Sequence, residues 1–341
     1  MGKPDICCKH CMGAYGHGIE MSLEQIEYIL DQFEEAGVCQ IGLTGGEPFT
    51  HPEIYKIITM IVERGFTLQT TTNGTLIDQN FIDVFQNYMK SCFRLSLSFD
   101  GIPELHDSIR GRGAFEKVMN GAMLLKKNGI EFGFNTVINS MNIKSLPEFL
   151  QMMFDAEIYS GSFNIIKPIG RATVNNELLL SKDSVTMCQQ MAFIRDCIQK
   201  FAKMTERTQY MRGASIQPDG SEAYEDITLF SEIGLERCAA GAYMVSVSTN
   251  GRLSPCIFVE ELLGKQGLKS ETIFAKPMLE IWKSNPQFLY MRNMGANNLC
   301  KKCSFYQVNC TSVCAAESLY YFGDTSTPMP YCRKNINKYL K

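Results

Sequence analysis

Residues 38–74 read VCQIGLTGGEPFTHPEIYKIITMIVERGFTLQTTTNG. A short apolar run, VCQIGL (38–43), ends at a Gly-Gly turn. PEIYKIITMIVERG (52–65) then carries a helical period and FTLQTTT (66–72) an extended one, before a second turn at Asn73-Gly74. Strand, helix and strand in that order form a βαβ unit, whose crossover is right-handed and whose two strands lie parallel. The alternation continues on both sides. Upstream, SLEQIEYILDQFEEAG (22–37) begins with Ser22 and Gln25 in a capping-box arrangement, spaces Ile26, Ile29, Leu30 and Phe33 along one face, and stops at Gly37. Downstream, FRLSLSF (93–99), EFGFNTVI (131–138) and SGSFNIIKP (160–168) read extended, while AFEKVMNGAMLLKKNG (114–129) and SLPEFLQMMFDA (145–156) read helical. The pattern predicts an α/β fold with a parallel sheet or barrel.

A helix near 181–205 closes this half, and residues 206–237 are more polar and irregular. Within them DGSEAYEDITLFSEIGLE (219–236) holds six acidic residues and no basic one, which reads as a solvated face or, less simply, as a substrate contact. From 238 onward strands shorten, turns multiply and cysteines become frequent, the pattern of a region built around metal rather than around a hydrophobic core. The expected division is therefore 1–205, a bridging segment 206–237, and 238–341.

At 341 residues the chain is longer than one typical domain, so a large and a small domain are expected. A net charge of −3 with no basic stripe argues against nucleic acid, and no apolar run approaches the roughly 18 residues that span a bilayer. The N-terminus lacks the basic and apolar regions of a secretory signal, so the 14 cysteines are expected in a reducing cytoplasm, where metal ligation explains them better than disulfides. Cys39, Cys92, Cys188 and Cys197 sit singly among apolar residues and read as packing. The other ten gather at 7–11 and 238–332.

In Cys8-Lys9-His10-Cys11 two thiols two residues apart can grip one metal or one iron–sulfur cube; alone, the spacing leaves zinc, redox and accidental readings open. Three further motifs follow successive strands: LTGGEPFTHP (43–52), TTNGTLI (71–77) and LSLSFDGIPELHDSIRGRGAF (95–115). All stand at C-terminal strand ends, where barrel enzymes place their chemistry. Glycines at 45 and 46 let a ligand approach the backbone closely, and Glu47 offers an acceptor for an ammonium group. Arg110 has the planar fork that suits a carboxylate, with a surface ion pair as its plainer reading. Asn73-Gly74 also reads simply as a turn.

In this order the motifs resemble the radical S-adenosylmethionine superfamily, in its SPASM-domain branch of peptide- and protein-maturating enzymes. The resemblance implies a partial (β/α)6 TIM-like barrel with a small cysteine-rich C-terminal iron–sulfur domain. It implies three cysteines spaced CxxxCxxC on a [4Fe–4S] cube, with the fourth iron open to the methionine group of S-adenosylmethionine. Reductive cleavage of the sulfonium would yield a 5′-deoxyadenosyl radical that removes hydrogen from substrate. By the same resemblance Thr44, Gly45, Gly46, Glu47 and Pro48 form the methionine-binding edge, His10 stands beside the adenine, Ser98 and Arg110 reach the cofactor carboxylate, and Asn73 and Asp100 are further cofactor-site candidates. Cys8 and Cys11 are two of the three cluster ligands. The family's first cysteine should stand at position 4, where this sequence has Pro4. Only three residues precede it, so the first barrel strand is expected to be incomplete, through truncation, a misplaced start or natural degeneration. Cys7 is the substitute ligand at hand, although adjacent side chains in an extended loop point apart. Met12 stands where an aromatic residue is common.

Cys300 to Cys314 alone fit a zinc knuckle as well as an iron–sulfur site. After a radical-SAM-like barrel, the seven downstream cysteines resemble a SPASM set. That implies one auxiliary [4Fe–4S] cluster on Cys300, Cys303, Cys310 and Cys332, and a second, nearer the barrel, on Cys238, Cys256 and Cys314. Sulfatase-maturating relatives add a fourth cysteine where this chain has Met244, and an aspartate base where it has Ile257. An open iron site suits a substrate thiolate, although water or another protein ligand fits equally. Three functions stay in view: radical modification of a ribosomally made peptide, including thioether or other cross-links; formylglycine formation in a protein, against which Ile257 counts; and a degenerate iron–sulfur or zinc scaffold, which Pro4 suggests. The first implies a peptide or small-protein substrate, an electron donor such as flavodoxin or ferredoxin, and a separate leader-peptide-binding protein where a leader must be recognised. The residues name no catalytic acid or base.

Overall fold

Ser22 starts the first described helix, α1 (Leu23–Glu35), with a capping box: its Oγ accepts from Gln25 N at 3.3 Å, and the Gln25 side chain accepts from Ser22 N at 3.0 Å. The computed structural model describes residues 7–12, 20–86, 93–211, 214–219, 221–224, 240–293, 302, 314–324 and 327. Pro4, in residues 1–6, lies outside that set, as do Cys92, Cys238, Cys300, Cys303, Cys310, Cys332 and most of the acidic stretch 219–236. The chain divides into two compact units, Met1–Asn164 and Ile165–Lys341.

In the first unit, strands and helices alternate as the hydrophobic periods predict: β1 (Gln40–Leu43), α2 (Ile54–Glu63), β2 (Thr67–Thr72), α3 (Gln79–Phe85), β3 (Phe93–Ser98), α4 (Pro103–Arg110), α5 (Ala114–Lys127), β4 (Gly133–Ile138), α6 (Leu146–Asp155) and β5 (Gly161–Ile165). The strands lie side by side in chain order, and β1/β2, β2/β3 and β3/β4 pair in parallel, with Leu43 opposite Thr70, Thr72 opposite Leu97 and Ser98 opposite Asn135. This is the α/β core of the partial barrel. Short α3 and α4 go beyond the periodic segments read from sequence. Local chemistry starts each one: Asp78 caps α3 by accepting from Phe81 N at 2.9 Å, and Pro103 opens α4.

Packing follows from the helical stripes. Ile54, Ile57, Ile58 and Ile61 bury one face of α2, and Phe81 stacks on Phe85 at 4.6 Å between ring centres with Phe49 edge-on at 5.0 Å. On the far side Phe134 meets Phe149 and Phe163 edge-to-face. The Asn73-Gly74 turn needs its glycine, because φ there is +75° and a Cβ would sit 2.7 Å from Val118 of α5.

The second unit begins with the long helix α7 (Ser184–Thr205), capped by Asp183, and an antiparallel meander β6 (Gln209–Met211), β7 (Ala214–Ile216) and β8 (Glu222–Tyr224). The sequence reads 206–237 as irregular; short-range hairpin pairing organises part of it nonetheless. A three-stranded antiparallel sheet follows, ordered β11 (Glu271–Thr272), β10 (Arg252–Ser254), β9 (Ser246–Val247), with helices α8 (Glu260–Lys265), α9 (Met278–Ser284), α10 (Pro286–Asn293) and α11 (Ala315–Phe322). Contrary to the expectation of a region without a hydrophobic core, Cys256, Val259, Leu263, Met291, Ala315, Ala316 and Leu319 form a packed apolar cluster. No helix among the described residues is long and apolar enough to cross a membrane. Cys188 and Cys197 are buried in α7 as packing predicts, and burial pushes the Cys197 thiol up to about 11. Cys39 is exposed beside β1, so packing does not explain it.

Truncating Phe81 to Ala removes a fully buried ring and is expected to cost about 3–5 kcal/mol in denaturant unfolding. Arg64→Ala, which breaks exposed pairs to Asp31 and Glu34, is expected to cost less than about 1 kcal/mol, and less still at high salt.

Candidate functional site

The C-terminal ends of β1, β2 and β3 are adjacent because the strands run parallel in chain order, and polar residues that follow each strand collect there. After β1, Thr44, Gly45 and Gly46 are exposed, and Gly45 has φ +140°, a conformation that disfavours a side chain. Glu47 and Pro48 turn inward. The Glu47 carboxylate accepts from Thr72 Oγ1 at 2.6 Å, Asn73 N at 2.8 Å and Phe49 N at 3.2 Å, so it ties the β1 turn to the end of β2. Asn73 is buried and makes a local turn, its Oδ1 accepting from Thr75 N at 2.9 Å.

A second set surrounds Asp100, just past β3. Its side chain has no solvent exposure; Oδ2 receives Arg110 Nε at 2.6 Å and lies 3.5 Å from His10 Nε2, while Oδ1 accepts from Val137 N at 2.9 Å. Burial raises the carboxyl's pKa, but Arg110, then His10, His106 and the Val137 N–H, outweigh it and hold the group at about 2. Arg110 also points Nη1 toward Cys8 Sγ at 3.9 Å, a long N–H···S contact. The cysteine loop is pinned from the backbone: Lys9 N donates to Ile109 O at 2.9 Å, and Cys11 N to Cys8 O at 3.3 Å. Cys8 and His10 are buried, Cys11 is half-buried, and Cys7 is exposed. Ser98 is buried at the end of β3.

Four residues absent from the sequence reading complete this corner. Thr72 holds Glu47. Asn142 Nδ2 donates to Asp100 O at 2.9 Å, and Asn139 Oδ1 accepts from Met141 N at 2.9 Å in the same post-β4 loop. His106 Nδ1 accepts from Asp100 N at 3.1 Å, which requires a neutral ring, and burial pushes its pKa down to about 4. For Asn139 and Asn142 the one sequence signal is their position just past a predicted strand, in Asn-Ser-Met-Asn at 139–142; Thr72 ends a predicted strand, and His106 carries no such signal.

In the second unit, Cys256 is buried and its Sγ accepts from Phe258 N at 3.4 Å; Cys314 is the N-cap residue of α11, with no hydrogen bond from its side chain to the helix. Both belong to the same apolar cluster. Met244 is 40% exposed, and Gly241 N donates to its carbonyl at 3.0 Å. Among the described residues no three Cys, His, Asp or Glu side chains already converge as a metal site. The donor chemistry nevertheless suits iron–sulfur centres: soft thiols, one facing a buried guanidinium and another receiving a backbone N–H, both of which stabilise sulfur-borne negative charge.

His106 sets a pH dependence. Its folded pKa lies below the unfolded value, so its contribution to stability is complete above about pH 6.5 and is lost as pH falls toward 4. Unfolding free energies measured between those limits should fall by on the order of 3 kcal/mol through this group in the parent, and less steeply in His106→Gln.

Residues 5–153 match the radical SAM superfamily and residues 238–304 match SPASM, an iron–sulfur cluster-binding domain. The chain is 24% identical over 345 aligned positions to the AdoMet-dependent heme synthase of Methanosarcina barkeri, covering 95% of this chain and 92% of the relative. It is 23% identical to the mycofactocin maturase MftC of Mycobacterium ulcerans, covering 96% of this chain and 84% of that one. The structure of Streptococcus suis SuiB bound to precursor peptide SuiA shares the fold, with a TM-score of 0.70 at 18% identity over 97% of this chain and 74% of SuiB. With the parallel strands, the cysteine loop beside their C-terminal ends and the cysteine-bearing second unit, these matches place the chain in the radical S-adenosylmethionine superfamily, as an enzyme of its SPASM-domain branch that works with S-adenosylmethionine and [4Fe–4S] clusters.

Proposed function

We propose that this enzyme oxidatively modifies a peptide or small protein, forming a thioether or another cross-link. Bound together, the reduced cube and S-adenosylmethionine supply a 5′-deoxyadenosyl radical. In this reading Cys8 and Cys11, with Cys7 as third thiol, hold the cube. The exposed Gly45-Gly46 edge and Glu47 receive the methionine ammonium, and Thr44 and Pro48 shape that edge. Ser98 and Arg110 face the carboxylate, His10 flanks the adenine, and Asn73 and Asp100 fix the surrounding loops. Cys256 and Cys314, joined by Cys238, hold one auxiliary cluster; Cys300, Cys303, Cys310 and Cys332 hold the other. The radical-SAM part spans 1–205 and the auxiliary-cluster part 238–341, joined by 206–237. Flavodoxin or ferredoxin supplies electrons, and a separate protein presents the leader where one is needed.

The observation that carries a thiol-bearing substrate is the pairing of Cys256 and Cys314 in one apolar cluster while position 244 holds methionine. Three thiolates leave one iron open, and a cysteine sulfur is the soft ligand such a site favours. The resemblance to MftC, named a maturase, supports the same reading. A second reading is a heme precursor as substrate, favoured by the match to the Methanosarcina barkeri heme synthase over nearly the whole of both chains.

Anaerobic protein given S-adenosylmethionine and dithionite should release 5′-deoxyadenosine. A cysteine-bearing peptide encoded beside the gene should raise that release and change in mass, whereas turnover of a heme precursor with the peptide left intact would select the second reading. Cys8→Ala is expected to abolish 5′-deoxyadenosine formation, and Cys256→Ala to lower bound iron by about four atoms per chain while the other clusters persist.

A further inference from the structure

Lys167 and Glu317 form an ion pair in the second unit, with Nζ donating to Oε1 at 2.5 Å. The lysine side chain is 14% exposed and the carboxylate 3%. Each end is held by its backbone. Lys167 stands two residues past β5, between buried Ile166 and Ile169, and its carbonyl accepts from Ile169 N at 2.8 Å in a tight turn. Glu317 lies in the first turn of α11, where Ala315, Ala316, Ser318 and Leu319 are all buried, Ser318 N donates to Cys314 O at 3.1 Å, and Ser318 Oγ donates to Thr327 O at 3.2 Å.

An ion pair withdrawn from water loses hydration that its mutual attraction does not reliably restore, and an apolar pair of similar volume would hold the two segments together as well. Stability alone therefore gives no reason for charge here. Position does. Cys314 is the N-cap of α11 and Glu317 its third helical residue, so the thiol and the carboxylate both leave the first turn of this helix. An iron–sulfur centre held by thiolates is anionic, and its potential follows nearby charge and hydrogen bonding. A lone carboxylate in the same turn would oppose reduction of a cluster on Cys314, and the Lys167 ammonium cancels that charge.

We propose that Lys167 and Glu317 are positioning residues for the auxiliary cluster bound through Cys314: they anchor the helical turn that carries this thiol and keep the charge beside it neutral. The proposal rests on Cys314 being a cluster ligand, as in the function proposed above.

Redox titration of the full, anaerobically reconstituted chain, followed by electron paramagnetic resonance and iron analysis, tests it. Lys167→Met leaves the carboxylate uncompensated and should shift the auxiliary-cluster potential downward. Glu317→Gln leaves the ammonium and should shift it upward, the double variant should return close to the parent value, and Lys167→Arg should not move it. A purely structural pair has no reason to produce shifts of opposite sign that cancel. If a single variant loses its cluster, the exchanged pair, Lys167→Glu with Glu317→Lys, keeps an ion pair and is titrated instead: a raised potential, from the ammonium now carried on the Cys314 helix, supports the charge role, and an unchanged one overturns it. Unshifted or same-sign potentials with iron intact also overturn it, leaving Cys314 as ligand. If instead Cys314→Ala keeps the parent's full iron content, the ligand assignment fails, and the pair's proposed role fails with it.

Discussion

A carboxylate with no access to water, Asp100, holds the C-terminal strand ends of the first unit together. It receives Arg110 from α4, faces His10 from the cysteine loop and takes the Val137 N–H from β4, so three separate pieces of chain converge on one charge. Burial alone would favour its neutral form. The guanidinium at 2.6 Å reverses that preference and keeps the group ionised near neutral pH. Loss of either partner would strand a buried charge, at a cost of roughly 3–5 kcal/mol. Arg110 also reaches toward Cys8, so the cysteine loop is held electrostatically as well as by the Lys9 N–H bond to Ile109.

Glu47 plays the same part between β1 and β2 with neutral partners. Its two oxygens are shared among Thr72, Asn73 and Phe49, and the turn that carries the exposed glycines cannot drift from the end of β2. Buried anions thus stiffen loops that a parallel sheet would otherwise leave free at its C-terminal edge, and a rigid loop loses less conformational entropy when anything binds to it.

The second unit solves a different problem. Its strands are two or three residues long and bury little by themselves, yet helices α8, α10 and α11 supply an apolar cluster that includes two of the proposed ligand cysteines. Cys256 is shielded from water in that cluster and Cys314 is half-buried against it, and the Phe258 N–H on Cys256 offsets part of the cost of thiolate charge there. The region therefore has a scaffold of its own around Cys256 and Cys314, the two described positions among those that the cysteine pattern assigns to metal.

Much of the first unit was legible because its signals are local. The capping box at Ser22, the isoleucine stripe of α2 and the apolar strand runs each depend on residues within a turn or two of one another, and all appear within about three residues of the predicted bounds. The cysteine loop and the Gly-Gly-Glu-Pro turn were legible as motifs for the same reason. Short α3 and α4, the β6–β7 hairpin and the core of the second unit were not, since each depends on partners distant in sequence or on a period too brief to register. The residues that position the site were hardest of all to see: Asn142 reaches Asp100 across 42 positions, Thr72 reaches Glu47 across 25, and Lys167 reaches Glu317 across 150. By itself, then, the order of residues determined the alternating elements and the cysteine and glycine motifs, because short-range periodicity and steric freedom are written into neighbouring side chains. Tertiary folding alone decided which buried charges meet, because desolvation and Coulomb attraction act through space and leave no trace in linear spacing.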